Sequence, residues 1–429
     1  MDIKQDLSLL KQTADKSVSP YHCILEAERQ LIEAGFSKLE LTGDWSLIRG
    51  HSYYVPVFDS TLFAFTVGKD MDRHSTIRMA AAHTDWPCFK LKPSPEVTSG
   101  TYGKLNVEVY GGPIFSSWLD RPLSIAGKVC TKGDTPFNPN TIFVDFGRPL
   151  LTIPNLAIHM NRETNQGVAL NPQKDLLPLI ARLDESLNRD GFFLKLLSQE
   201  IQTDPADILD YELFLYCKEE GMSFGMNQEF FSSPRLDNIT SVQAALCGIT
   251  AGNRENGLNV IAIYDNEEIG SHTKQGAASP LAERILGKIY KSLGLEDYLT
   301  DALFSGFLLS MDVAHALHPN HEEKNDITNK IYLGDGVAIK MAARQSYATD
   351  ARAVSVVESL CLAGHIPYKK YSNRSDIPGG STLGAISCGC LNIPTADIGV
   401  PILAMHSARE TMGASDMAAL AELCRVFFH

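Results

Sequence analysis

Residues 258–271 read LNVIAIYDNEEIGS. An apolar run rich in β-branched side chains stops abruptly at two adjacent glutamates and then a glycine. The run is too short for an ordinary helix and has the composition of a strand buried on both faces. Its ending has a bland meaning and a sharp one. Strands must surface somewhere, and acidic residues are at home in water. Alternatively, one carboxylate holds a metal ion while its neighbour handles a proton. Around this stretch, apolar strands such as GFLLSMD (306–312) alternate with helical segments. These are ITSVQAALCGIT (239–250), PLAERILGKIYKSLG (280–294) and DARAVSVVESLCLAG (350–364). Such alternation predicts an α/β domain, a mainly parallel sheet covered by helices on both faces.

Upstream, MDIKQDLSLLKQTADKS (1–17) reads as a polar, helix-forming start, and SPYHCILEAERQLIEAGF (19–36) as a helix ending at Gly35. STLFAFTVG (60–68) and STIRMAAAHTD (75–85) read as strands, the second running into His83 and Asp85. From about Lys92 the pattern changes. KLNVEVYGG (104–112) alternates Leu105, Val107 and Val109 with polar neighbours, the period of a half-buried antiparallel strand. Gly/Pro-punctuated segments continue that style as far as DILDYELFLYC (207–217), with a charge-laced stretch from Asn171 to Ile201 expected to be helical. The economical organisation is one α/β domain, residues 1–95 and 221–429, interrupted by a β-rich module at 96–220.

The 429 residues, 44% hydrophobic and 21% charged, describe an ordinary globular chain. With 38 Lys and Arg against 51 Asp and Glu, the net charge of −13 argues against a nucleic-acid groove or an anionic membrane as partner. No signal-type apolar core and no membrane-length apolar stretch is evident, and the nine cysteines are scattered. A cytoplasmic protein with reduced thiols is the simplest expectation.

Open α/β sheets place chemistry beyond the C-terminal ends of their strands. The metal-capable residues at the ends of apolar runs are His83, Asp85, Glu267, Glu268, Asp312 and His406, with Asp237 just before a helix. Two histidines with several carboxylates suit divalent cations, zinc foremost, with cobalt and manganese as alternatives. Charge bookkeeping favours two ions, because one would leave the acids repelling each other. In such dinuclear centres a water shared by the ions is the nucleophile, and an acid beside the ligands takes its proton and returns it to the leaving amine. No H-E-x-x-H helix is present, which excludes the commonest single-zinc protease signature. His315, His318 and His321 read as a solvated loop or as support around the ligands rather than a third metal site, and GGSTLG (379–384) as a turn lining a pocket.

Eight motifs, in order, resemble the aspartyl aminopeptidase family of cocatalytic dinuclear zinc aminopeptidases. They are AHTDWPCFKLKP (82–93), YGGPIFSSWLDRPL (110–123), IPNLAIHMNR (153–162), PRLDN (234–238), DNEEIGS (265–271), MDVAHALHPN (311–320), NRSDIPGGSTLG (373–384) and VPILAMHSARE (400–410). The likeness runs from about residue 20 to the C-terminus. It implies that His83 and Asp312 hold one zinc, that Asp237 bridges, and that Glu268 and His406 complete the second site. Glu267 would be the general base and Asp85 the acid that fixes His83. The inserted module would serve dimerisation within a tetrahedral dodecamer, carrying His159 toward a neighbouring subunit's active site. Lys340 aligns with the lysine aimed at an acidic first side chain. The implied activity is release of N-terminal residues, Asp and Glu preferred. The alternatives are a neutral-residue preference or an acyl-amidohydrolase of similar architecture. Relatives commonly carry a small residue where Trp86 stands, histidine at Asn266 and cysteine at Gly379.

Overall fold

The computed structural model describes residues 1–184, 191–252 and 254–429, which form two compact units. The first comprises Met1–Asp85, Gly221–Met405 and Glu410–His429; the second comprises Trp86–Glu220 with the short segment His406–Arg409.

In the first unit a nine-stranded sheet has the order 37–38, 52–57, 61–67, 258–264, 77–83, 307–311, 395–399, 337–341 and 368–372. The four strands Leu258–Tyr264, Ile77–His83, Phe307–Met311 and Thr395–Gly399 are mutually parallel. Antiparallel strands flank them on both sides. All residues of Leu258–Tyr264 are buried, which explains the apolar run from Val260 to Tyr264. Alternate side chains still serve opposite layers. Ile261 and Ile263 pack with the helices Ile3–Lys16, Pro20–Glu33, Leu236–Ala251, Ala351–Ala363 and Asp416–Phe428. Val260, Ala262 and Tyr264 pack with Leu281–Ser292, Leu299–Phe304 and Leu383–Leu391. Helix starts are fixed locally: the side chains of Asp2, Ser19 and Asp350 accept hydrogen bonds from backbone amides of their first turns. A smaller five-stranded sheet in this unit joins Ala314–His315, just beyond Asp312, to Pro401–Leu403, Glu410–Gly413, Phe230–Ser233 and Met222–Phe224.

The second unit is built on a six-stranded antiparallel sheet, in the order 138–145, 123–135, 208–217, 88–99, 102–110 and 179–182. Leu105 and Val107 point into its core, as the alternation predicts. The segment expected to be one helical stretch from Asn171 to Ile201 differs. It holds a short helix Pro172–Asp175, the strand Leu179–Arg182 and the helix Phe192–Ile201, while residues 185–190 lie outside the described residues. Pro178 has no amide hydrogen to continue a helix, and the residues after it pair with Tyr102–Lys104 instead. Among the described residues no helix is long and apolar enough to cross a membrane.

Candidate metal centre

Register places three chemistry-bearing segments at one edge of the first unit. Tyr264 lies opposite His83 in the parallel pair, so the chain leaving Leu258–Tyr264 delivers Asp265–Glu268 beside the end of Ile77–His83. Phe307–Met311, on the other side of Ile77–His83, delivers Asp312. Asp237 arrives from the first turn of Leu236–Ala251. There it departs from helical geometry (φ −81°, ψ 105°), and its peptide bond to Asn238 is cis. Two buried contacts hold it: its amide donates to the Glu410 carboxylate at 2.9 Å, and the Asn238 amide group donates to the Met311 carbonyl at 2.8 Å.

Donor atoms of His83, Asp237 and Asp312 lie within 4.8 Å of one another, as do those of His83, Glu267 and Glu268. His83 Nδ1 is 3.0 Å from the backbone carbonyl oxygen of Asp85, an acceptor, so the ring carries its proton there. Nε2 faces Asp237 Oδ1 and Asp312 Oδ1 at 3.6 Å each. A ring nitrogen facing two carboxylates needs positive charge there, a proton in the metal-free protein or a metal ion in its place. The donor set of one imidazole and several carboxylates fits zinc.

Asp85 explains the paired glutamates. Its Oδ1 accepts the Glu267 amide and its Oδ2 the Glu268 amide, each at 3.1 Å, so one buried carboxylate clamps both residues. The same carboxylate lies 3.5 Å from His83 Nδ1. The clamped segment is a single 3-10 turn, Glu267–Ile269, entered through Asn266 at φ 65°. Asparagine tolerates that left-handed conformation better than most residues.

Crowded acids perturb one another. Burial, followed by the charges of Asp312, Asp85 and Asp237, pushes Glu267 up to about 8 even though His83 pulls it down. Burial and the Asp237 charge raise Glu268 well above the carboxylate range. Burial alone would lower His83, but Asp312 and Asp85 outweigh it and raise the imidazole. Asp312 goes the other way: burial opposes ionisation, yet Lys340 and His83 hold it well below the usual range.

Lys340 is 1% exposed. Its ammonium donates to the Val313 carbonyl at 3.2 Å, lies 3.8 Å from Asp312 Oδ2 and sits 5.1 Å from the Tyr347 ring centre. Beyond Asp312, His315 and His318 line a cavity of about 300 Å³ with Asn373, Gly379 and Met405. Gly379 has φ 63°, and a Cβ there would come within 2.1 Å of the Asn373 amide nitrogen. A side chain at 379 would therefore displace Asn373 from this turn. His321 is exposed, 3.5 Å from Glu323.

His406, His159 and Trp86 belong to the second unit. His406 follows Met405 directly, has φ 67°, and its Nδ1 lies 3.1 Å from the Gly112 carbonyl oxygen. His159 is exposed in a turn, and Trp86 is buried. Two further acids of the first unit, given no role by the motifs that contain them, support the site. Glu410 braces Asp237, and buried Asp265 is raised to about 7 by burial and by Asp85. Asp265 stands in the quoted stretch itself, one residue past the strand.

The model of the aminopeptidase I zinc metalloprotease family, M18, matches residues 14–428, and the chain belongs to that family. It is therefore a zinc metallo-aminopeptidase, a hydrolase of peptide bonds. It is 45% identical over 404 residues to the probable M18 family aminopeptidase 2 of Clostridium novyi (strain NT), covering 94% of this chain and 93% of the relative. With the probable M18 family aminopeptidase 2 of Clostridium acetobutylicum it shares 43% over 420 residues, 96% of this chain and 97% of the relative. A chain from the cryo-EM structure of the Ape4 and Nbr1 complex superposes with a TM-score of 0.95 at 31% identity, covering 99% of this chain and 86% of that one. The M18 aminopeptidase of Thermotoga maritima has the same fold, with a TM-score of 0.86 at 23% identity over 100% of this chain and 96% of that one.

Proposed function

We propose that this aminopeptidase works with two divalent ions per subunit, zinc foremost, and prefers peptides beginning with Asp or Glu. His83 Nε2, facing the Asp237 and Asp312 carboxylates at 3.6 Å each, carries the reading. His83, Asp312 and Asp237 would hold one ion; Asp237, Glu268 and, by family resemblance, His406 would hold the other. When bound, the ions supply Lewis acidity, polarising the scissile carbonyl and acidifying water.

The chain's own groups do the rest. Glu267, clamped by its backbone to Asp85, keeps its carboxylate free to take a proton from water and return it to the departing amine. Clustered acids of high proton affinity suit that exchange near neutral pH. Glu268, its neighbour on the same clamp, is committed to the metal side. Lys340, a buried cation against Asp312, would favour an acidic first side chain; the resemblance supports this role. His159, exposed on the second unit, would act in a neighbouring subunit of a homo-oligomer, with a tetrahedral dodecamer built from dimers as the expected assembly. A related fold, the mApe1 of S. cerevisiae, is described as a dodecamer. A cytoplasmic location is proposed with it.

The test is the rate of N-terminal residue release from matched Asp-, Glu-, Leu- and Ala-peptides, free and N-acetylated, with and without chelator. Chelator-sensitive cleavage of free peptides, fastest for Asp and Glu, is expected. Preference for Leu or Ala would move the specificity to the neutral class, and cleavage of the acetylated peptides would indicate an acyl-amidohydrolase.

A further inference from the structure

Lys340 is a permanent positive charge built into the wall of a centre meant for cations. It is fully enclosed, and its Nζ lies 3.8 Å from a carboxylate oxygen of Asp312, a proposed ligand. Its position is over-determined. The Val313 carbonyl accepts from it, the Tyr347 ring lies beneath it, and on the adjacent antiparallel strand it stands opposite Asp397. Asp397 is completely buried and braced from several elements. It accepts from Ser310 Oγ at 2.6 Å and from Thr382 Oγ1 at 2.5 Å, it accepts the Ala348 amide at 2.5 Å, and its own amide donates to Thr349 Oγ1. A row therefore runs from Asp312 through Lys340 to Asp397.

The row is one-sided. Lys340 is the foremost charge acting on Asp312, whereas Glu268 feels chiefly Asp237, His83, Glu267 and Asp85. A cation so close to Asp312 competes with any ion bound there and repels it through a low-dielectric interior. Lys340 also acts on Asp237, the ligand shared by both ions, but less strongly than on Asp312, so an ion on the Glu268 side meets less of its charge.

We infer that Lys340 is a built-in counter-charge that weakens the ion held by His83 and Asp312 relative to the ion held by Glu268, so that the two load in separate steps. The inference rests on the two-ion reading above. Asp397 moderates the effect by neutralising part of the lysine charge. The two residues thus have opposite effects: losing the lysine tightens the weaker site, and losing the aspartate charge loosens it further. A purely structural role would make both losses harmful.

The experiment titrates chelator-stripped full-length protein with Co²⁺, reading visible d–d absorption and bound metal per subunit, in the wild type, Lys340→Met and Asp397→Asn. The wild type should take up two ions in steps separated by about tenfold or more in affinity. Lys340→Met should draw the steps together by on the order of tenfold, and Asp397→Asn should widen their separation by several-fold. Equal wild-type affinities, or a weaker second step in Lys340→Met, would overturn the inference while leaving the two-ion centre standing. Uptake of a single ion at saturation would overturn both. If Lys340→Met fails to fold, the near-isosteric Asp397→Asn still decides, because tightening or no change there contradicts the charge row.

Discussion

Replacing Asp85 with asparagine isolates the clamp that joins His83 to the paired glutamates. The carboxylate is 1% exposed, and its two oxygens accept the Glu267 and Glu268 amides at 3.1 Å each. Hydrogen bonds to a charged acceptor are worth about 1.5–3 kcal/mol each. Asparagine keeps one acceptor and turns an NH₂ donor toward the other backbone N–H, so one bond is lost and two donors face each other. The expected destabilisation is about 2–4 kcal/mol, and the fall in melting temperature about 2–4 °C. Loosening the groups that orient metal ligands costs ~10–100-fold in metal affinity. Thermal unfolding of the chelator-stripped protein and competition with a zinc chelator measure the two effects. Wild-type stability together with wild-type zinc affinity would refute the clamp.

Other consequences follow from the same geometry. Lys340→Ala should lower kcat/KM for Asp- and Glu-peptides more than for a Leu-peptide, and equal losses in parallel assays would remove it from specificity. His159→Ala should depress activity while leaving metal content and the size-exclusion profile unchanged; full activity would place it outside the site. The metal-free protein should lose stability as pH rises. Glu267, with a folded-state value near 8 against an ordinary 4.5, keeps its proton in the fold while the unfolded chain ionises, so its contribution is present below about 4.5 and lost toward 8. His83, raised above 6.5, acts in the same direction, being stabilising below that value and ineffective once pH passes its folded-state value. Melting temperatures of stripped protein between pH 5 and 8 should fall, and those of zinc-loaded protein should not; a flat stripped-protein profile would contradict the coupling.

Much of the catalytic scaffold was legible because a parallel sheet buries both faces of its strands. Runs such as 258–264 and 307–311 are therefore mostly apolar, with only Asn259 and Ser310 as polar members, and the charged residues that end them stand out. What lay between elements was less visible. The strand Cys88–Ser99 runs straight past residue 95, where composition alone suggested a domain boundary, and the passage between units falls at Asp85–Trp86. Residues 406–409 pack with the second unit although their sequence runs on smoothly from Pro401–Leu403, since grouping by packing leaves no local signature. Leu179–Arg182 was hidden among charged residues expected to be helical, and only Pro178 hinted at the break. Glu410, Asp397 and the burial of Lys340 depend on contacts with residues far along the chain. A single acid or lysine in a sequence gives no sign of such partners.

The central claim is that paired glutamates divide metal holding from proton transfer, and Glu267→Gln tests it most directly. Zinc per subunit and the rate of Asp release should be measured on the same sample of purified variant. Wild-type zinc content with turnover reduced by about 10²–10⁴-fold, the usual contribution of a positioned base, is expected. A variant that retains near-normal kcat, or one that is inactive only because its zinc has been lost, would contradict it.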